Sequence, residues 1–259
     1  MIGEDSQIEM FKRIFLHHNS YLMTVIQLLL PFYIYLAIGA EWYWWLICIF
    51  FYFIYLSIGN NVGMHRYFCH RYFEMCKPVK WFVTWAATCT GLGSPLSYAA
   101  VHIIHHNNYD TDRDPHGPKR GWQSVLYCFH QTISGKDICP NRNLMRLAKD
   151  YGWLHEYYWP YVFGTGLAFY LIGGLNVFLF CWAIPGSLTL WVAAIVLLLQ
   201  HDKHGPSNTR SYMWFGWGET WHKNHHDDPN LDDHADKGRI DWTYQISRLL
   251  SRHAKSNQD

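Results

Sequence analysis

All 21 Lys and Arg residues of this 259-residue chain avoid three long stretches, and that avoidance limits the fold before any motif is read. Tyr21 to Ala40 carries no charge, Glu41 follows, and Trp42 to Val62 is again uncharged. Each run has about the ~20 residues that a helix needs to cross hydrocarbon. A third uncharged block runs from Tyr157 to Gln200. At ~1.5 Å per residue it is too long for one crossing, so it should fold back. Gly173-Gly174-Leu175-Asn176 is the preferred turn, and Pro185-Gly186 the alternative. The expected spans are 21–40, 42–62, 157–173 and 177–200, in two hairpins. The cations fall in 1–20, 63–156 and 201–259, and Glu41 is the one charge on the turn side. By the positive-inside tendency both termini and the central segment are cytoplasmic. Trp42, Trp44, Trp45, Tyr157, Tyr158 and Trp159 crowd the boundaries, as an aromatic belt does. A soluble helical protein with buried apolar helices is the competing reading, and the segregation of charge argues against it.

The expected class is therefore all-α integral membrane: four transmembrane helices with a cytosolic helical cap, 63–156 and 201–259, in one domain covering 1–259. Residues 79–101 are apolar but hold Lys80 and the breakers Gly91, Gly93 and Pro95. If they crossed, histidines on either side of them would face opposite sides of the membrane. They are placed in the interface or against the spans, as an amphipathic or broken helix. The mean hydropathy of −0.13 hides this segregation. A net charge of +1, with no basic tail or phosphate loop, gives no reason to expect nucleic acid. The seven cysteines show no C-x-x-C spacing, so a reducing compartment and no disulfide framework are expected. No cleaved signal peptide is expected, and the tail after Arg252 should fray.

Three histidine clusters carry the chemistry: His65-Arg-Tyr-Phe-Cys-His70, His102-Ile-Ile-His105-His106 and His222-Lys-Asn-His225-His226. The last two share H-x-x-H-H, which on a helix stacks three imidazoles on one face, able to aim at a single point. Neutral imidazole suits iron, zinc, copper and nickel. Eight such ligands are too many for one ion, so a dimetal site is the natural reading. Gln200-His201-Asp-Lys-His204 ends the last span. Gln200 and His204 are i and i+4, which makes His204 a candidate ninth ligand and Gln200 a candidate through water. His17, His18, His130, His155, His234 and His253 read as structural, while His116 and His201 are left open. Asp110, Asp114 and Glu219 are candidate acceptors for the second ring nitrogen of a ligand histidine; Asp112, Asp227 and Asp228 are weaker ones. Ligands at span ends rather than within spans favour a reaction centre over metal transport.

These motifs resemble the membrane fatty-acid desaturase family, in its stearoyl-type, acyl-CoA branch. The match takes in H-R-x-x-x-H at 65–70, H-x-x-H-H at 102–106 with Asp110-Thr-x-x-Asp114-Pro-His116 behind it, Gly218-Glu219-Thr-Trp-His222-x-x-His225-His226, and Ile240-Asp241-Trp-Thr243. The resemblance implies two iron ions held by His65, His70, His102, His105, His106, His204, His222, His225 and His226, with an asparagine acting through water. Here that asparagine would be Gln200. It also implies O2 as co-substrate, a long acyl chain as substrate and a cis double bond as product. The electrons would come from a separate donor of cytochrome b5, ferredoxin or rubredoxin type, docking on the cytosolic cap. A same-scaffold hydroxylase or acetylenase is the alternative, and a non-catalytic membrane metal-binding protein a more distant one. Acyl-CoA members usually carry polar or charged residues around the second box; Ala100, Val101 and Ile103 stand there instead. A nucleotide headgroup wants cationic partners, so an acyl carrier protein or a lipid is an equal candidate carrier. Lys119, Arg120, Arg142 and Arg146 are further candidates to meet a phosphate.

Overall fold

The computed structural model describes residues 20–115, 125–126, 141–202, 204–209 and 219–251. His116, Lys119, Arg120, Gly218 and the tail after Arg252 lie outside the described residues. The elements are helical apart from one short hairpin. Helix α1 is Ser20–Leu28, α2 Leu30–Leu36 and α3 Trp42–Phe53, which runs without a break into a π-helical stretch, Ile54–His70. Helices α4 (Lys77–Thr88) and α5 (Pro95–Asn108) follow, then α6 (Arg142–Glu156) and α7 (Tyr158–Phe178). A short π-helical stretch, Leu179–Ala183, leads into α8 (Ile184–Leu199). Strands β1 (His201–Asp202) and β2 (Gly205–Pro206) pair antiparallel, with His201 opposite Pro206. Helices α9 (His222–Asp227) and α10 (Trp242–Ser251) close the described chain.

Among the described residues two helices are long and apolar enough to cross a bilayer, Trp42–His70 and Tyr158–Leu199. The second is interrupted where Gly173 and Gly174 leave helical geometry, Gly174 at a φ of 69° that suits a residue without Cβ. Beyond that point the chain folds back on itself: a Cβ at Gly166 would sit 3.0 Å from the Trp182 ring. Leu171 and Ile172, beside the turn, are 74% and 79% exposed, as are many other large apolar side chains on α1–α3 and α7. An apolar surface that broad marks a lipid- or protein-facing zone. The chain is membrane-associated. The expected first span, 21–40, is two helices rather than one. Pro31, at the start of α2, has no N–H to give and its ring crowds the preceding turn, so the break falls at Leu29.

The segment 79–101 is a broken helix whose α4 and α5 flank a turn with Gly91 and Gly93 at positive φ. Helix α4 lies hard against the long π-helical stretch. A Cβ at Gly59 would come 2.5 Å from the Ala86 carbonyl oxygen, so only glycine allows this approach. Ser94 caps α5 by accepting from the Ser97 N–H, and Asn141 caps α6 by accepting from the Leu144 N–H. One core, including Met64, Phe68, Val83, Ala100, Leu144 and Leu147, joins the π-helical stretch, α4, α5 and α6. It fixes the elements that carry the first two histidine motifs relative to each other.

Candidate metal centre

The π-helical winding explains the first motif. His65 and His70 are five residues apart, which at roughly 100° per residue would splay them by about 140° on an α-helix. An i→i+5 repeat returns residues five apart to one side. The rings of His65 and His70 accordingly meet at 5.0 Å, both beside His102 and His225. Arg71, at a left-handed φ of 57°, ends the stretch, and Asn143 Nδ2 donates to the Phe68 and Cys69 carbonyls at its end, both at 2.8 Å.

Two groups of ring nitrogens result. His65, His70, His102 and His225 form one and His105, His201, His222 and His226 the other, each with ligand atoms within 4.8 Å of one another. Each set could hold a single ion. His106 completes the first group, its Nε2 3.0 Å from His102 Nε2 and 2.9 Å from His225 Nε2. Its ring also stacks on His226 at 4.4 Å, so it stands at the boundary of the two.

The expectation that each H-x-x-H-H aims three imidazoles at one point is corrected here. His102 and His106 face the first group and His105 the second; His222 and His226 face the second and His225 the first. The helix dictates this. Positions i and i+4 differ by about 40°, whereas i+3 lies on the other side of i, about 100° from i+4. Each motif thus gives a pair to one group and a single ring to the other.

His204 is a second correction. Helix α8 stops at Leu199 and the chain leaves as the β1–β2 hairpin, so Gln200 and His204 never share a helical face. His204 is exposed in the hairpin turn, its N–H donating to Asp202 Oδ1 at 2.7 Å. His201 is the buried ring that joins the second group, with Nε2 3.0 Å from His222 Nε2. Its place, two residues past the last apolar position, was the one available signal. Gln200 is buried in the wall of the cavity beside both groups, and its side-chain N–H donates to the Glu219 carbonyl.

The three carboxylates singled out from sequence each lie against a ring of these groups. Asp114 Oδ1 is 2.9 Å from His105 Nδ1, Asp110 Oδ1 is 3.1 Å from His201 Nδ1, and Glu219 Oε2 is 3.1 Å from His65 Nδ1. An Nδ1–H donated to a carboxylate leaves the Nε2 lone pair free to point at the centre. Asp114 also accepts from the Asp110 N–H at 3.0 Å, so one loop holds both His105 and His201. Behind His65 lies a network the sequence did not reveal. Arg66, 1% exposed, reaches Asp241 at 2.7 Å, Glu219 at 3.6 Å, the Asp232 carbonyl and His234 Nδ1 at 3.1 Å. Arg66 sits one residue after a candidate ligand, so it read as part of a motif rather than as the hub of a buried ion network.

Electrostatics favour the neutral form of several of these rings. Burial first, and then the neighbouring rings, push His102, His222 and His225 well below the usual imidazole range. Burial and His105 push His106 down to about 3. Burial alone would raise the Glu219 carboxyl, but His65 and Arg66 overturn that and hold it well below the usual carboxylate range. Neutral imidazole is the form that binds a metal. Both ring nitrogens of His226 are buried without a hydrogen-bond partner, which is costly unless something accepts a lone pair there. An all-imidazole donor set backed by carboxylates fits iron and its neighbours in the first transition row.

A family model described as fatty acid desaturase matches residues 40–235, a span that contains every histidine of both groups. The chain belongs to the fatty acid desaturase family. Among its relatives are Delta-9 acyl-lipid desaturase 2 of Arabidopsis thaliana, 27% identical over 84% of this chain and 75% of that protein, and Delta-9 acyl-lipid desaturase 1 of the same plant, 28% identical over 76% and 67%. The sn-1 stearoyl-lipid 9-desaturase of Anabaena variabilis is 27% identical over 66% of each chain. This desaturase is an oxidoreductase that acts on acyl chains, and its two histidine groups could each hold a metal ion.

Proposed function

We propose that this desaturase is a multi-pass membrane enzyme that uses two iron ions and O2 to place a cis double bond at C9 of a lipid-linked long acyl chain. The convergence of ring nitrogens into two groups carries this reading. His65, His70, His102, His106 and His225 would hold one ion, and His105, His201, His222 and His226 the other, with Gln200 acting through water. Bound iron supplies the reduction of O2 and the removal of hydrogen. Two electrons from a separate donor, two protons and the two hydrogens of adjacent methylenes together turn one O2 into two waters. The protein's own part is to hold His65, His105 and His201 by their Nδ1 atoms and to admit the chain beside them. A cavity does the latter, lined by the apolar side chains of Leu56, Ala193, Val196 and Leu197 and by His65, His102, His105 and His222.

The four crossings would be 21–40, 42–62, 157–173 and 177–200, with both termini and the histidine-bearing segments on the cytoplasmic side in one domain. The exposed apolar surfaces of α1–α3 and α7 support this arrangement. A lipid carrier is favoured over CoA by two observations. Ala100 and Val101 are buried in the core beside the second motif, where they cannot meet a headgroup. The three relatives described above are named for lipid-linked substrates.

The test is a mass-spectrometric profile of lipid acyl chains from a desaturase-free host expressing the chain beside its His105→Ala variant. A new C9 monoene made only by the unmodified chain is the expected result. Full activity in His105→Ala would overturn the shared-site reading. A monoene at another carbon would overturn the C9 assignment alone.

A further inference from the structure

Asn60 and Asn61 are amides within Trp42–His70, a helix apolar enough to cross a bilayer, where polar side chains are costly and mark function by default. Asn60 Nδ2 donates to Asn61 Oδ1 at 2.9 Å. That leaves Asn60 Oδ1 buried with no hydrogen-bond partner, on a residue only 9% exposed. Both residues line the cavity that also touches His65, His102, His105 and His222. The π-helical winding puts them there: Leu56, Asn60 or Asn61, and His65 follow each other at four- and five-residue steps on one side of the stretch. Ala193, Val196 and Leu197 of α8, which also line the cavity, carry no side-chain donor for an amide oxygen.

We propose that Asn60 and Asn61 form a binding site for an O–H donor in the wall of the acyl cavity, beside the reacting carbons. The chemistry follows from the orphan atom. An amide oxygen only accepts, so its partner must donate. A methylene chain has no donor, and carboxylates and phosphates would repel the oxygen. Of the donors that an acyl chain or its solvent can bring, we take a hydroxyl, either on the acyl chain itself or on a water that enters with a plain chain. Asn60 precedes His65 by five residues, one turn of the i→i+5 repeat, so the hydroxyl lies a few carbons from the carbon that faces the metals. The inference rests on the cavity being the acyl site, and its test reads binding rather than turnover.

The full chain in lipid nanodiscs is titrated with stearate and with hydroxystearates whose hydroxyl is moved carbon by carbon, followed by thermal shift and equilibrium dialysis. The same is done for Asn60→Leu, and for Asn60→Ser should the leucine variant fail to fold. A chain-borne hydroxyl predicts one hydroxystearate binding about tenfold tighter than stearate, with the preference lost in the variant. A water predicts no such preference. It also predicts density within hydrogen-bond distance of Asn60 Oδ1 in a high-resolution structure with stearate, absent in the variant. Equal binding of all probes together with no such density overturns the proposal. If stearate itself fails to bind, the acyl-cavity reading falls instead, and the host profile described above tests the desaturase reading separately.

Discussion

Arg66→Met removes the hub of a buried ion network, and its cost follows from the geometry. Arg66 is 1% exposed, pairs with Asp241 at 2.7 Å and lies 3.6 Å from Glu219. Methionine fills much of the same volume but leaves Asp241, also fully buried, without its cation. Breaking a buried pair by removing one partner costs about 3–5 kcal/mol, because the surviving charge stays desolvated. For a chain of this size each kcal/mol moves the melting temperature by about 2–4 °C, so a drop of about 6–20 °C is expected. The 14 tryptophans provide an intrinsic fluorescence signal for the melt in detergent. The double variant Arg66→Met with Asp241→Leu removes both charges and should recover a large part of the loss. A single variant that melts within about 2 °C of the unmodified protein would refute the reasoning. So would a double variant less stable than the single one.

His201→Ala should lose iron and activity together, whereas His204→Ala, altering an exposed turn residue, should keep both; iron per chain by plasma emission spectrometry decides, and the opposite pattern would return the ligand role to His204. Asp114→Asn keeps a partner for His105 but removes the charge behind it, and should weaken iron retention or activity about 10–100-fold under chelator challenge. Acid should destabilise the metal-free protein steeply. His102, His106, His222, His225 and His234 have folded values below the unfolded value of about 6.5, so the unfolded chain binds more protons. Their contribution is fully present above about pH 6.5 and drains away toward about 3, the value for His106 and His234. Glu219 adds a loss of the same sign at still lower pH. A melting temperature flat from pH 7.5 to 5 would contradict this.

The sequence alone determined the chemistry and the family, because both depend on residue type and local spacing. The avoidance of charge marked the apolar helices, the glycines at 173 and 174 marked the reversal, and Asp110, Asp114 and Glu219 were legible as carboxylates close in the chain to histidine motifs. What it could not determine was which ring faces which centre. A repeat of H-x-x-H-H looks like two equivalent triplets, yet each helix divides its rings between both groups, since neighbours about 100° apart diverge once something lies on either side. His65 and His70 share a group only because their helix winds with an i→i+5 repeat, which apolar periodicity does not announce. His201 replaced His204 because α8 ends at Leu199, five residues short of His204, so no helical i, i+4 relation forms, and helix ends are set by tertiary contacts as much as by propensity. Arg66, Asp241 and His234 lie up to 175 residues apart and meet only through folding. Asn60 was simply a polar residue in an apolar run until the structure buried its oxygen beside the histidines.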